Sequence, residues 1–276
     1  MKMLVLAVQT IRELILKATL LVLAAISTLI LLFVLAGVGT EVTSEGVSIV
    51  FFGQAKSPPM SQENLETFVR AFEASSAGGI FAGIVLFGIF ATAGVLPDTL
   101  EKGTADIYFS KPLRRGEILA GRTIGAGVAI FLNILYFLAG VWVILGWKIG
   151  IWDLRFLVAP LGITIVFLSL YAIVVFLGVL SRNTAIAIIG GFLFQFIVVS
   201  LLQGRETILF PLSSSGAYHT FLDALYYIFP QISALQESVV KYVAGEPAEW
   251  APLASTVISA CGWYGASWWI LDRADF

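Results

Sequence analysis

LEKGTADIYFSKPLRRGEILAGR, residues 100–122, gathers Glu101, Lys102, Asp106, Lys111, Arg114, Arg115, Glu117 and Arg122 in one short stretch. The stretches on either side, 74–97 and 123–147, contain no charged residue. Water does not impose so sharp a boundary; a bilayer does. One charge at the bilayer centre costs at least about 2.5–3.5 kcal/mol. Residues 100–122 therefore read as an aqueous link between two membrane spans.

The whole chain repeats that division. Hydrophobic residues make up 59% of its 276 positions and charged residues 12%. A soluble domain carries roughly 45–50% and about 25%. Six uncharged apolar runs stand between charged markers, and each exceeds the roughly 20 residues that a helix needs to cross a 30 Å core. They predict spans at 18–40, 74–97, 123–147, 156–181, 183–204 and 250–271. The fold class is an all-α polytopic membrane protein forming a single domain over 1–276. The fourth and fifth runs share only Ser181, Arg182 and Asn183 as their turn, which makes a tight helical hairpin.

Residues 1–17 precede the first span. Leu4, Val8, Ile11 and Ile15 form one stripe and Gln9, Arg12, Glu13 and Lys17 gather elsewhere, as in a helix lying in the membrane interface. The apolar core that follows is too long for a cleaved secretion signal. Six spans put both termini on one side. Lys2, Arg12, Lys17, Lys102, Lys111, Arg114, Arg115, Arg122, Arg182 and Arg273 then share that side. The longer opposite segments hold only Lys56, Arg70, Lys148, Arg155, Arg205 and Lys241. Basic residues concentrate on the cytosolic side, so the termini and the link 98–122 are expected in the cytosol of a multi-pass protein of the cytoplasmic (inner) membrane.

Two outer segments, 41–73 and 205–249, are substantial. In the first, Ser61 is placed to cap a helix whose Leu65, Phe68, Val69 and Phe72 share a face. The second is apolar enough to lie against the membrane, and Pro230 should divide it into two short helices.

Absences narrow the function. None of the six runs contains Asp, Glu, Lys, Arg or His, so an intramembrane ion relay has no residues to use. There is no GxxxxGK[ST] phosphate loop and no HExxH metal motif. A net charge of −2 offers no footprint for nucleic acid. Cys261 cannot form an intrachain disulfide, and His219 reads as an ordinary surface histidine. Asn133 and Gln195 are amides inside spans, residues that commonly join helices. Gln195 is also the candidate for a substrate path.

Residues 98–122 carry more than positive-inside charge. Gly103 is placed to end one helix and Thr104 to cap a short one, which Pro112 stops. Ile107, Tyr108 and Phe109 are apolar in an aqueous loop, which suggests a partner surface. The pattern Glu101, Gly103, Thr104, then Pro112, Leu113, Arg115, Glu117, Gly121 and Arg122 resembles the cytosolic link of type-2 ABC (ATP-binding cassette) transporter permeases. Within that family it is most similar to permeases of copper-enzyme maturation and related bacterial systems. Arg114 departs from the serine frequent there, and the tail ILDRADF at 270–276 resembles the family's charged tail with only one basic residue, Arg273.

The resemblance implies a permease subunit of an ATP-driven exporter, itself not an enzyme. It implies two permease copies, as a homodimer or related heterodimer, with two cytosolic ATPase subunits that bind ATP and Mg2+; this chain binds no cofactor or metal. The coupling residues it implies are Glu101, Gly103, Thr104, Ile107, Tyr108, Phe109, Pro112, Arg114, Arg115 and Glu117. Substrate would pass between permease copies beside the second and fifth spans. A passive channel or carrier, and a membrane scaffold for extracytoplasmic partners through 41–73 and 205–249, are the alternative readings.

Overall fold

A computed structural model describes residues 2–43, 46–53, 55–100, 114–247 and 249–273. Helix α1 (Lys2–Leu16) turns at Lys17 and Ala18 into α2 (Thr19–Gly37). A small antiparallel sheet follows, with β1 (Val38–Thr43), β2 (Gly46–Phe51) and β3 (Ala55–Lys56) side by side. Then come α3 (Gln62–Leu100), α4 (Arg115–Ile149), α5 (Ala159–Ser181) and α6 (Thr184–Gln203). Two shorter helices, α7 (Gly216–Ile228) and α8 (Ile232–Ala244), lead to α9 (Trp250–Arg273).

Among the described residues, five helices are long and apolar enough to cross a membrane: α2, α3, α4, the α5 helix extended from Leu154, and α6. They cover the first five expected spans. Helix α9 runs over the sixth expected run and is long enough at 24 residues, but it is not among the five, because its serines, threonine and glycines dilute its apolar character. Large apolar side chains remain outside, including Leu29, Leu32 and Phe33 on α2 and Ile189, Leu193 and Phe196 on α6. Contiguous apolar surface of that extent needs lipid around it.

Helices α4 and α5 are central. Ile134, Leu138 and Leu145 of α4 and Phe167, Leu170 and Tyr171 of α5 are fully enclosed. The tyrosines that join helices are hydrogen-bonded, as burial requires. Tyr171 donates to the Thr92 carbonyl at 3.1 Å and Tyr264 to the Leu168 carbonyl at 2.7 Å. Asn133 accepts from Ser27 at 3.3 Å, which places it in the helix-joining role. At Ser181–Asn183 the hairpin is tight: Arg182 takes a left-handed conformation, and the Asn183 side chain accepts from Ala185 N–H at 2.8 Å to start α6.

The end of the bundle opposite the link carries the outer segments. The sheet is the one element there that the helical reading did not anticipate. Its β1–β2 register runs from Val38 opposite Phe51 to Thr43 opposite Gly46, and Val38, Ile49 and Leu65 close its buried side. Ser61 caps α3 by accepting from Asn64 N–H, and Leu65 and Val69 are buried as their shared face requires. Pro230 does divide α7 from α8. The Ile228 carbonyl freed at that break accepts from Ser259 and, at 3.2 Å, from the Trp263 indole, so α9 covers the irregular backbone. His219 is held between the Ser213 and Phe210 carbonyls, a structural place.

Glu73 stands immediately before the second span. It is fully enclosed, and neither carboxyl oxygen has a hydrogen-bond partner among the described residues. Burial above all, with Asp153 adding and Arg70 opposing, pushes this carboxyl from 4.5 up to about 8. The folded state therefore keeps a proton that the unfolded chain releases. Stability is whole below the ordinary value and falls as pH rises from there through the folded value. Glu73→Gln, with no charge to bury, should flatten that decline in thermal unfolding of the purified protein between about pH 5 and pH 9. An unaltered decline would show that Glu73 ionises without cost.

Candidate functional site

The site is the end of the bundle where the charged link begins and ends. Its start is held through Asp98, near the end of α3. One carboxylate oxygen pairs with Lys17 at 2.7 Å and the other accepts from the Thr184 hydroxyl at 3.0 Å. The α1–α2 turn, α3 and α6 thus meet at one side chain. This pair is largely solvated, so its value is positional more than energetic.

The far end of the link is α4. Its 35 residues reach about 52 Å at 1.5 Å per residue, well beyond a 30 Å core, so its first turns stand outside the apolar zone. Glu117 accepts from the Arg114 backbone N–H at 2.9 Å and closes the first turn. Arg115 donates to the Leu271 and Asp272 carbonyls at 2.7 and 3.0 Å, binding the last turn of α9. A cation suits that end of a helix.

Helix α1 lies along α4. Gly121 and Gly125 permit the contact. A Cβ at Gly121 would stand 2.6 Å from the Leu6 Cβ, and one at Gly125 would stand 2.7 Å from the Ala7 carbonyl oxygen. Beside them Arg122, only 3% exposed, pairs with Glu13 and donates to the Thr10 hydroxyl at 3.3 Å. The other face of α1 keeps Leu4, Val8 and Ile15 exposed, an apolar strip suited to the membrane interface.

Of the expected coupling residues, Arg114, Arg115 and Glu117 are placed at this end. Glu101, Gly103, Thr104, Ile107, Tyr108, Phe109 and Pro112 lie outside the described residues. Arg115 was expected to orient a partner, and the structure gives its guanidinium work inside the chain. Glu13, Asp98 and Thr184 belong to the site and were not singled out by sequence. Arg122 closing the link was a visible signal, but its partner lies 109 positions away, where spacing rules do not reach.

A second feature lies at mid-bundle. Helices α3 and α6 each widen into a π-helical turn, Ile84–Gly88 and Phe194–Val199. Such turns are rare and frequent at functional sites. They are neighbours: Phe90 and Phe192 stack obliquely with ring centroids 5.1 Å apart, beside the two turns. Phe87, Phe90 and Phe196 remain exposed. Gln195 sits in the second turn, half-buried, and its side-chain oxygen is buried without a hydrogen-bond partner among the described residues.

Among the described residues no group of His, Cys, Asp or Glu is arranged to hold a metal ion. Compared with known proteins, the chain matches a family model described as ABC-2 family transporter protein over residues 4–276. No curated protein matches it.

Proposed function

The chain belongs to the ABC-2 family of transporter proteins, the type-2 ABC permeases, and from that membership we propose that it is the membrane half of an ATP-driven exporter. Separate cytosolic ATPase subunits bind ATP and Mg2+ and grip the link 98–122. A second permease copy completes the path. The observation that carries this reading is the mounting of the link. One end is tied to the α1–α2 turn and α6 through Asp98; the other is tied to α1 and α9 through Arg122 and Arg115. A push on the link reaches most of the bundle at once. The chain co-expressed with its ATPase should co-purify with it and show substrate-stimulated hydrolysis over a substrate panel; a permease that purifies alone under those conditions contradicts the reading.

The reading fixes an orientation in the cytoplasmic membrane. Single cysteines placed at 56 and 241 in a Cys261→Ala background should react with an impermeant thiol reagent on intact cells, and those at 102 and 111 only after lysis. The reverse pattern overturns the topology.

The path follows α3 and α6. The exposed phenylalanines beside the two π-helical turns suit an apolar or amphiphilic substrate, and Gln195 offers it one amide. Gln195→Leu should change substrate stimulation of ATP hydrolysis while assembly stays intact. Loss of about 1 kcal/mol of stability with unchanged stimulation would make Gln195 a helix-joining residue only.

A further inference from the structure

Far from the link, a cavity of about 240 Å³ opens where α8 lies over the outer ends of α5 and α9. Leu161, Ile165, Leu235, Val239 and Leu253 make its wall apolar. Its floor is closed by tight packing, since a Cβ at Gly162 would stand 2.6 Å from Val239. Its polar members are different in kind. Tyr242, Glu249 and Trp250 line it together, and Trp250 is 71% exposed, which sets this side at the rim.

We propose that this cavity is a lipid site that takes one acyl chain into the groove and holds an ammonium headgroup among Glu249, Tyr242 and Trp250. Two aromatic faces and a carboxylate are the set that recognises an alkylammonium: the rings attract the cation through their quadrupoles and the carboxylate supplies the charge. The surrounding field agrees. Lys241 is paired with Glu237 at 2.8 Å and lines a separate cavity with it, so Glu249 is the one charged residue in the lining of this one. An anionic headgroup would meet that carboxylate with no lysine or arginine in the lining to offset it. The groove lies at the level where α5 and α9 leave the membrane, so lipid is the apolar material at hand. Ser238 does not compete for the headgroup, because its hydroxyl donates to the Ala234 carbonyl at 2.9 Å. The site is independent of the link and of any ATPase.

Nanodiscs of phosphatidylglycerol holding the purified protein and a trace of photoactivatable phosphatidylethanolamine or phosphatidylglycerol test this. The ethanolamine probe should label peptides covering 158–165 and 235–253 about two- to fivefold more than the glycerol probe, as expected for a cation–π contact at an exposed rim. Glu249→Gln and Trp250→Ala should each erase that preference. Leu161→Trp, which narrows the groove from an exposed position, should remove labelling there and leave labelling of α2 unchanged. Ser238→Phe repeats the test from the opposite wall if Leu161→Trp does not purify. Equal labelling by both probes, labelling spread evenly over the lipid-facing helices, or a preference that survives Glu249→Gln overturns the proposal. So does a second protein copy crosslinked over the groove.

Discussion

Glu13→Ala is expected to destabilise the purified protein by about 3 kcal/mol or more and to detach α1 from α4. The reason is asymmetry within the pair. Arg122 is only 3% exposed, while Glu13 is 36% exposed. Removing the carboxylate takes a close counter-charge from a buried cation; removing the cation leaves a carboxylate that water can reach. Arg122→Ala should therefore cost less than Glu13→Ala, the reverse of what side-chain size suggests. Replacing both members with apolar residues, Glu13→Leu with Arg122→Met, should recover most of the loss, because a buried pair is often no better than a packed apolar contact. Gly125→Leu attacks the same seam sterically. Its new side chain must enter space held by the Ala7 carbonyl and Thr10, backbone and branch point that do not yield easily. Thermal unfolding in detergent, with limited proteolysis between α1 and α2, reads all four variants. The double variant also separates stability from coupling. If α1 transmits force, it should fold yet hydrolyse ATP without the full response to substrate. Equal costs for Glu13→Ala and Arg122→Ala would mean that the pair is solvated and α1 is held by the glycine seam alone.

What could be read from sequence follows the physics of each element. The apolar runs became helices because length and the absence of charge determine a span whatever it packs against. Pro230 and the Ser181–Asn183 turn were legible because backbone restriction and capping are local. The sheet was not read. Its alternation over 46–51 is short, and Val38 continues the apolar run of α2 without a break in composition. The π-helical turns left no sequence signal, since they answer to packing between α3 and α6. Glu73 marked the edge of a span in the sequence; only the packed structure shows its carboxyl enclosed. Arg115 shows the same limit. Its charge and place in the motif suggested a partner, and tertiary contact gave it the carbonyls of α9.

Tyr108→Ala is expected to weaken ATPase binding by about 2 kcal/mol or more, some 30-fold in dissociation constant. In the proposed complex Ile107, Tyr108 and Phe109 are the apolar centre of the contact, and truncating a central aromatic carries the largest cost in most interfaces. Arg114 and Arg115 should behave differently from each other. Arg114 is exposed at the start of α4, and its backbone N–H is held by Glu117. Arg114→Glu should slow association, and added salt should shrink the difference from the unaltered protein. Arg115→Glu removes the donor to the Leu271 and Asp272 carbonyls and sets a carboxylate against the negative end of α9. It should lower the melting temperature of the isolated permease as well as assembly. Tyr108→Ala and Arg114→Glu should leave that temperature unchanged. Lys241→Gln, at the opposite end of the bundle, controls for general effects of charge. Binding kinetics of the purified ATPase to each variant, with melting of the permease alone, separate the contact from the mounting. Full assembly and coupled hydrolysis in both Tyr108→Ala and Arg114→Glu would reduce residues 98–122 to a solvated loop, leaving its density of charge to the positive-inside preference alone.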